Sequence, residues 1–140
     1  MPVPDRTSPA VALLVAVAAF VVLWQVRHEL DGATVVNGSI FRTLDVSVLY
    51  IIVLAPAAIA AYLVPSRWLL LGVVAAYLAG VAGELIRLAM AVVHANPEHH
   101  TDLPSASVFV GIAITSVPNA VLGVAGSALG LILARGRRAK

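Results

Sequence analysis

Four long apolar runs, roughly 9–26, 46–64, 68–93 and 108–134, occupy most of this chain and leave few ways to fold it in water. Each has the length of a bilayer-crossing helix. At about 1.5 Å per residue the shortest reaches about 27 Å, close to a hydrocarbon core of about 30 Å, and the last two are long enough to tilt or protrude. Of the 140 residues, 61% are hydrophobic and 11% charged, under half the charged share of an ordinary soluble domain. A water-soluble globule is excluded. The expected fold is an all-α integral membrane protein, a four-helix transmembrane bundle forming one domain over residues 1–140.

Local chemistry supports these helices. Ser8 followed by Pro9 reads as an N-cap with proline at the first helical position, Asp45 and Ser66 are placed to cap the second and third helices, and Gly136 to cap the C-terminus of the fourth. Arg6 precedes the first apolar run as in a secretory signal, but no small-x-small cleavage site follows and Trp24-Gln25 reads as an interfacial end, so a retained helix is expected.

Four spans put both termini on one side. With the termini inside, Arg6, Arg67, Arg135, Arg137, Arg138 and Lys140 face the cytoplasm against Arg27 and Arg42 outside, the arrangement the positive-inside rule favours. The expected location is the cytoplasmic membrane. Four of the nine basic residues fall in the last six positions, a cluster that suits anionic head groups beside a span and not nucleic acid. The absence of cysteine removes disulfides, thiolate metal sites and cysteine nucleophiles. No nucleophilic triad, phosphate loop or dinucleotide fingerprint occurs. No cofactor is implied, and an enzyme of the soluble type is not expected.

The outer side then holds connections at about 27–45 and 94–107, and the short turn Pro65-Ser66-Arg67 makes helices two and three antiparallel neighbours. In the first connection, Ala33–Val36 and Ser39–Phe41 flank Asn37-Gly38, the pattern of a two-residue hairpin turn. Either a small β-hairpin over the outer face or an irregular loop with one turn is expected. Pro56 and Pro118, 62 residues apart, sit at similar depth in helices two and four if the two hairpins repeat in parallel.

Polar groups inside the spans single out candidate sites. Ionisable residues within a span are costly and default to functional candidates. Tyr77, Gly80, Glu84, Arg87 and His94 fall on one face of helix three, with Glu84 and Arg87 three apart. Leu69, Val74, Leu78, Val81 and Leu85 form the opposite, lipid-facing side. Measured from Trp68, Glu84 lies about 24 Å and Arg87 about 29 Å up the helix, near the outer surface. Glu84 and Arg87 read either as a structural ion pair or as a carboxylate for a proton or cation with its partner.

Helix four carries Thr115, Ser116, Asn119, Gly123, Gly126, Ser127 and Gly130 within one arc. The two small-xxx-small pairs, Gly123 with Ser127 and Gly126 with Gly130, let another helix approach closely. This face is the expected interface with a second copy or a larger membrane protein. Pro118 removes the hydrogen bond to the Ile114 carbonyl, and Thr115, Ser116 and Asn119 are placed to satisfy the freed backbone in a kinked helix with a polar notch. The candidate binding residues are therefore Tyr77, Glu84, Arg87, His94, Thr115, Ser116 and Asn119.

Three functional readings follow. The first is a small-solute or ion transport unit, or its accessory subunit. The second is a structural or assembly subunit of a larger membrane complex with no ligand. The third is an outer-face metal or membrane-enzyme site using Glu84, Arg87, His94, His99 and His100, because imidazole and carboxylate suit transition metals.

Overall fold

A computed structural model describes the backbone of residues 4–33, 40–94 and 105–136, and the side chains of residues 4–26, 51–93 and 105–136. It is all helical: α1 (Pro9–Ala33), α2 (Ile40–Leu63), a single 3-10 turn (Pro65–Arg67), α3 (Trp68–His94), α4 (Ala106–Thr115) and α5 (Val117–Gly136). The expected fourth helix is thus present in two pieces. Pro9–Val26, Pro65–Val93 and Ala106–Gly136 are long and apolar enough to cross a membrane, and Ile51–Leu63 is a shorter apolar stretch of α2. The N-cap at Ser8 forms: its Oγ accepts the Val11 N–H at 3.4 Å and its carbonyl accepts the Ala12 N–H at 3.0 Å.

Several boundaries differ from those expected. Helix α1 continues through Arg27, His28 and Glu29 to Ala33, and α2 begins at Ile40, so the first connection contracts to residues 34–39. Hydropathy marks where apolar sequence ends, whereas Arg, Glu and Leu are good helix formers that carry the helix on. Asp45 consequently lies inside α2, five residues past its start, and not at the N-cap position expected of it. Among the described residues there is no strand; Ala33 closes α1 and Ile40 and Phe41 open α2, so the hairpin's flanks are helical at these positions. Its Asn37-Gly38 turn lies outside the described residues. Gly136 ends α5 without a left-handed backbone.

Helices α2 and α3, joined by the 3-10 turn, form a central antiparallel pair against which α1 and α5 each pack. The core is built of small side chains. Ala12, Ala16, Ala60, Val64, Leu71 and Ala75 form one cluster near the turn, and Phe20, Ile52 and Ala79 a second further along. Apolar solvent gives no drive for helix association, so close backbone approach between alanines supplies the contact. The Phe20 ring lies 5.9 Å from that of Trp24 and over Gly83, where a Cβ would come within 3.0 Å of its Cζ. Large apolar side chains such as Leu14, Val93, Val121 and Ile132 point outward, a surface suited to lipid.

The small-residue face of α5 is occupied by this chain itself. A Cβ on Gly126 would lie 2.6 Å from the Leu54 carbonyl oxygen, one on Gly130 would strike the Ala58 backbone, and one on Gly123 would lie 2.7 Å from the Ala76 Cβ. Ser127 is buried against Gly72, its hydroxyl donating to the Gly123 carbonyl at 2.6 Å. This corrects the expected partner interface. The stripe packs on α2 and α3, because adjacent helices of one chain reach it first. The pairing of Leu54 with Gly126 and Ala58 with Gly130 also sets α2 and α5 parallel with Pro56 and Pro118 offset by about ten residues, roughly 15 Å. The two prolines do not share a depth.

The turn between α2 and α3 is clasped by the N-terminal segment. The Asp5 carboxylate accepts the Ser66 N–H at 3.0 Å and the Ser66 hydroxyl at 2.6 Å. Ser66 is therefore not the cap of α3, since its hydroxyl is turned to an acid sixty-one residues away. The Arg6 N–H donates to the Leu63 carbonyl at 2.8 Å, and the Arg6 guanidinium lies 3.9 Å above the Tyr62 ring. The N-terminal segment and the turn thus share one end of the bundle.

Candidate functional site

The break between α4 and α5 falls at Ser116, whose φ of -83° and ψ of -10° stay right-handed. Pro118 has no N–H to offer the Ile114 carbonyl, so the helical ladder lapses there. The freed carbonyl is met by backbone and not by the three side chains expected to serve it: the Ser116 N–H is directed at the Ile112 and Ile114 carbonyls. The hydroxyls reach back a full turn. Thr115 Oγ1 donates to the Gly111 carbonyl at 3.0 Å and to the Ile112 carbonyl at 3.2 Å, and Ser116 Oγ to the Ile112 carbonyl at 2.8 Å. That is the usual reach of a helical hydroxyl, three or four residues back, where it competes with the ladder and bends it.

Helix α3 supplies the opposite wall. The Tyr77 hydroxyl donates to the Ala113 carbonyl at 3.3 Å, just above the break. One turn along α3, Gly80 is buried against Ser116 and Asn119; a Cβ there would meet the Asn119 carboxamide and lie 3.3 Å from the Ser116 Cβ. Tyr77, Gly80, Ser116 and Asn119 therefore converge about 18 Å along α3 from Trp68. Ser116 is buried and Asn119 half-buried.

Above this junction α4 buries none of its residues. Between it and α3 opens a cleft of about 360 Å³, lined by Glu84, Arg87, Leu88 and Ala91 of α3 and by Val108 and Ile112 of α4. Arg87 and Glu84 form an ion pair at 2.9 Å, with the arginine side chain 73% exposed and the glutamate 35%. The pair is thus accessible, the carboxylate the more enclosed member. A charged pair beside an apolar wall can hold a small polar group while the apolar side excludes bulk water.

Of the seven candidate residues, Tyr77, Ser116 and Asn119 meet at the junction, and Glu84 and Arg87 line the cleft above it. Thr115 is exposed on the far side of α4, its hydroxyl turned back to its own helix, so it stands apart from the group. His94 ends α3, and its side chain, like His99 and His100, lies outside the described residues. Among the described residues no group of three or more His, Cys, Asp or Glu side chains is arranged to hold a metal ion. The Tyr77 to Ala113 bond escaped sequence reasoning. Its acceptor is a backbone carbonyl, which every residue has. No family model, curated protein or solved structure matches the chain.

Proposed function

We propose that this chain is a four-span cytoplasmic-membrane protein, a single membrane domain with both termini in the cytoplasm. In this reading it binds a small polar solute or ion in the cleft between α3 and α4, as a transport unit or its accessory subunit. Helix α2, 24 residues long, is the fourth span. The observation that carries the binding reading is the opening between α3 and α4, where the Glu84 and Arg87 pair faces a helix detached at a proline break. Irregular backbone at membrane depth is tolerated where it lines a cavity or is covered by protein. Glu84 is the residue that holds a cation or proton and Arg87 its counter-charge. Asn119, one turn beneath, has a carboxamide with no hydrogen-bond partner among the described residues and supplies a neutral contact.

The test is a thermal-melt screen of the solubilised protein against inorganic ions and small polar solutes, repeated with Glu84→Gln and Asn119→Ala. A solute that raises the melting temperature of the wild type, with the rise lost in both variants and their ligand-free melts unchanged, supports the proposal. If no solute stabilises the wild type, the binding reading fails. The structural-subunit reading then gains, for which the internally neutralised ion pair is the favouring observation.

A further inference from the structure

A second opening lies at the other end of the bundle. Because α1 and α5 each pack against the central pair, a groove of about 970 Å³ runs between them over α2, lined among others by Val15, Ala58, Ile59, Tyr62, Ile132 and Leu133. Its volume is at the upper end of the range for small-molecule sites. A charge stands beside it, against the lining residue Tyr62. The Arg6 guanidinium sits 3.9 Å above the Tyr62 ring and is held there by the Arg6 N–H bond to the Leu63 carbonyl. The neighbouring carboxylate of Asp5 accepts both of its hydrogen bonds from Ser66. Among the described residues no carboxylate pairs with Arg6. Gly136, the last residue of α5, also borders the groove, which brings its neighbour Arg135 to the same end.

We propose that this groove binds one anionic phospholipid, an acyl chain lying along α2 and the phosphate meeting Arg6. An apolar groove beside a guanidinium that no described carboxylate pairs with matches the two halves of such a molecule. A helix is a poorer fit, because close helix approach in a membrane needs small residues at the contact. These walls are mostly branched or aromatic; of the two small residues, Gly136 lies at the end of α5 and Ala58 already has its backbone covered by Gly130. A flexible chain conforms to such walls.

Native mass spectrometry of the solubilised protein, titrated with dioleoyl-phosphatidylglycerol or dioleoyl-phosphatidylcholine, tests this. One phosphatidylglycerol is expected to bind in preference to phosphatidylcholine. Arg6→Gln should reduce that preference about fivefold, the effect of one basic group at a membrane surface, and Arg6→Lys should keep most of it. Ile132→Trp fills the groove from an exposed wall position and should lower occupancy by both lipids without changing the melting temperature. Equal retention of the two lipids overturns the proposal, as does wild-type behaviour of Ile132→Trp. Displacement of the lipid by inorganic phosphate would mean an anion site without an acyl groove, and a dimer dissociated by Ile132→Trp would identify a second copy as the occupant; either result overturns it.

Discussion

Single atoms decide much of this packing. A methyl on Gly130 would enter the Ala58 backbone, which can yield only if α2 moves, whereas Gly111 has nothing within 4 Å of the same position. Gly130→Ala should therefore destabilise by about 1–3 kcal/mol, the usual effect of overpacking, and Gly111→Ala should be neutral or gain up to about 1 kcal/mol of helix propensity. Thermal melts in one detergent compare them; equal shifts would contradict the close approach. Asp5 gives a pH signature. Its hydrogen bonds from Ser66 hold its carboxyl below the ordinary value of 3.8. A depressed folded value means the clasp contributes above the unfolded pKa and is lost as pH falls through the folded one. Asp5→Asn should lower the melting temperature near neutral pH, and the gap from wild type should close as the pH drops below 3.8. A gap independent of pH would show that the charge is not what matters. At this scale the Glu84 and Arg87 pair was legible, since residues three apart on a helix meet. The clasp was not, because a contact between residues 5 and 66 needs the fold first.

Helices were legible in number and in apolar extent, and less so in their ends. The two prolines show why local context outweighs the residue itself. Pro56 is preceded by Ile52-Val53-Leu54-Ala55, without a hydroxyl, and α2 passes through it unbroken. Pro118 is preceded by Ile114-Thr115-Ser116-Val117, and both hydroxyls turn back on the ladder that the proline has already opened. The loss of one bond bends a helix; the added competition separates α4 from α5. Pro118→Ala restores an N–H for the Ile114 carbonyl and should draw α4 into line with α5. Spin labels at positions 88 and 108, across the cleft, would report this as a changed distance distribution, and an unchanged one would place the cause of the break elsewhere. Tyr77→Phe removes the hydroxyl that ties α3 to α4 and should cost about 1 kcal/mol, within the range for side-chain hydrogen bonds in membranes, with the same labels moving apart.

For the whole molecule, the α5 glycine face announced a tight interface but not its owner. Spacing along one helix cannot say whether the partner is the next helix or the next molecule. The side-to-side arrangement is testable directly because the chain has no cysteine. Single cysteines replacing Ser66 or Arg135 should react with an impermeant maleimide from one side of the membrane, and one replacing Ser105 from the other; the proposed topology makes the first side cytoplasmic. Labelling of all three from one side would overturn the four-span arrangement. The separation of α4 has a mechanical consequence. Helix α4 buries none of its side chains and meets the described part of the bundle mainly along α3 and at its junction with α5, so few contacts fix the angle it makes with α3. Any displacement of α4 about that junction would change the width of the cleft that Glu84 and Arg87 line, which makes this wall the easiest part of the bundle to move.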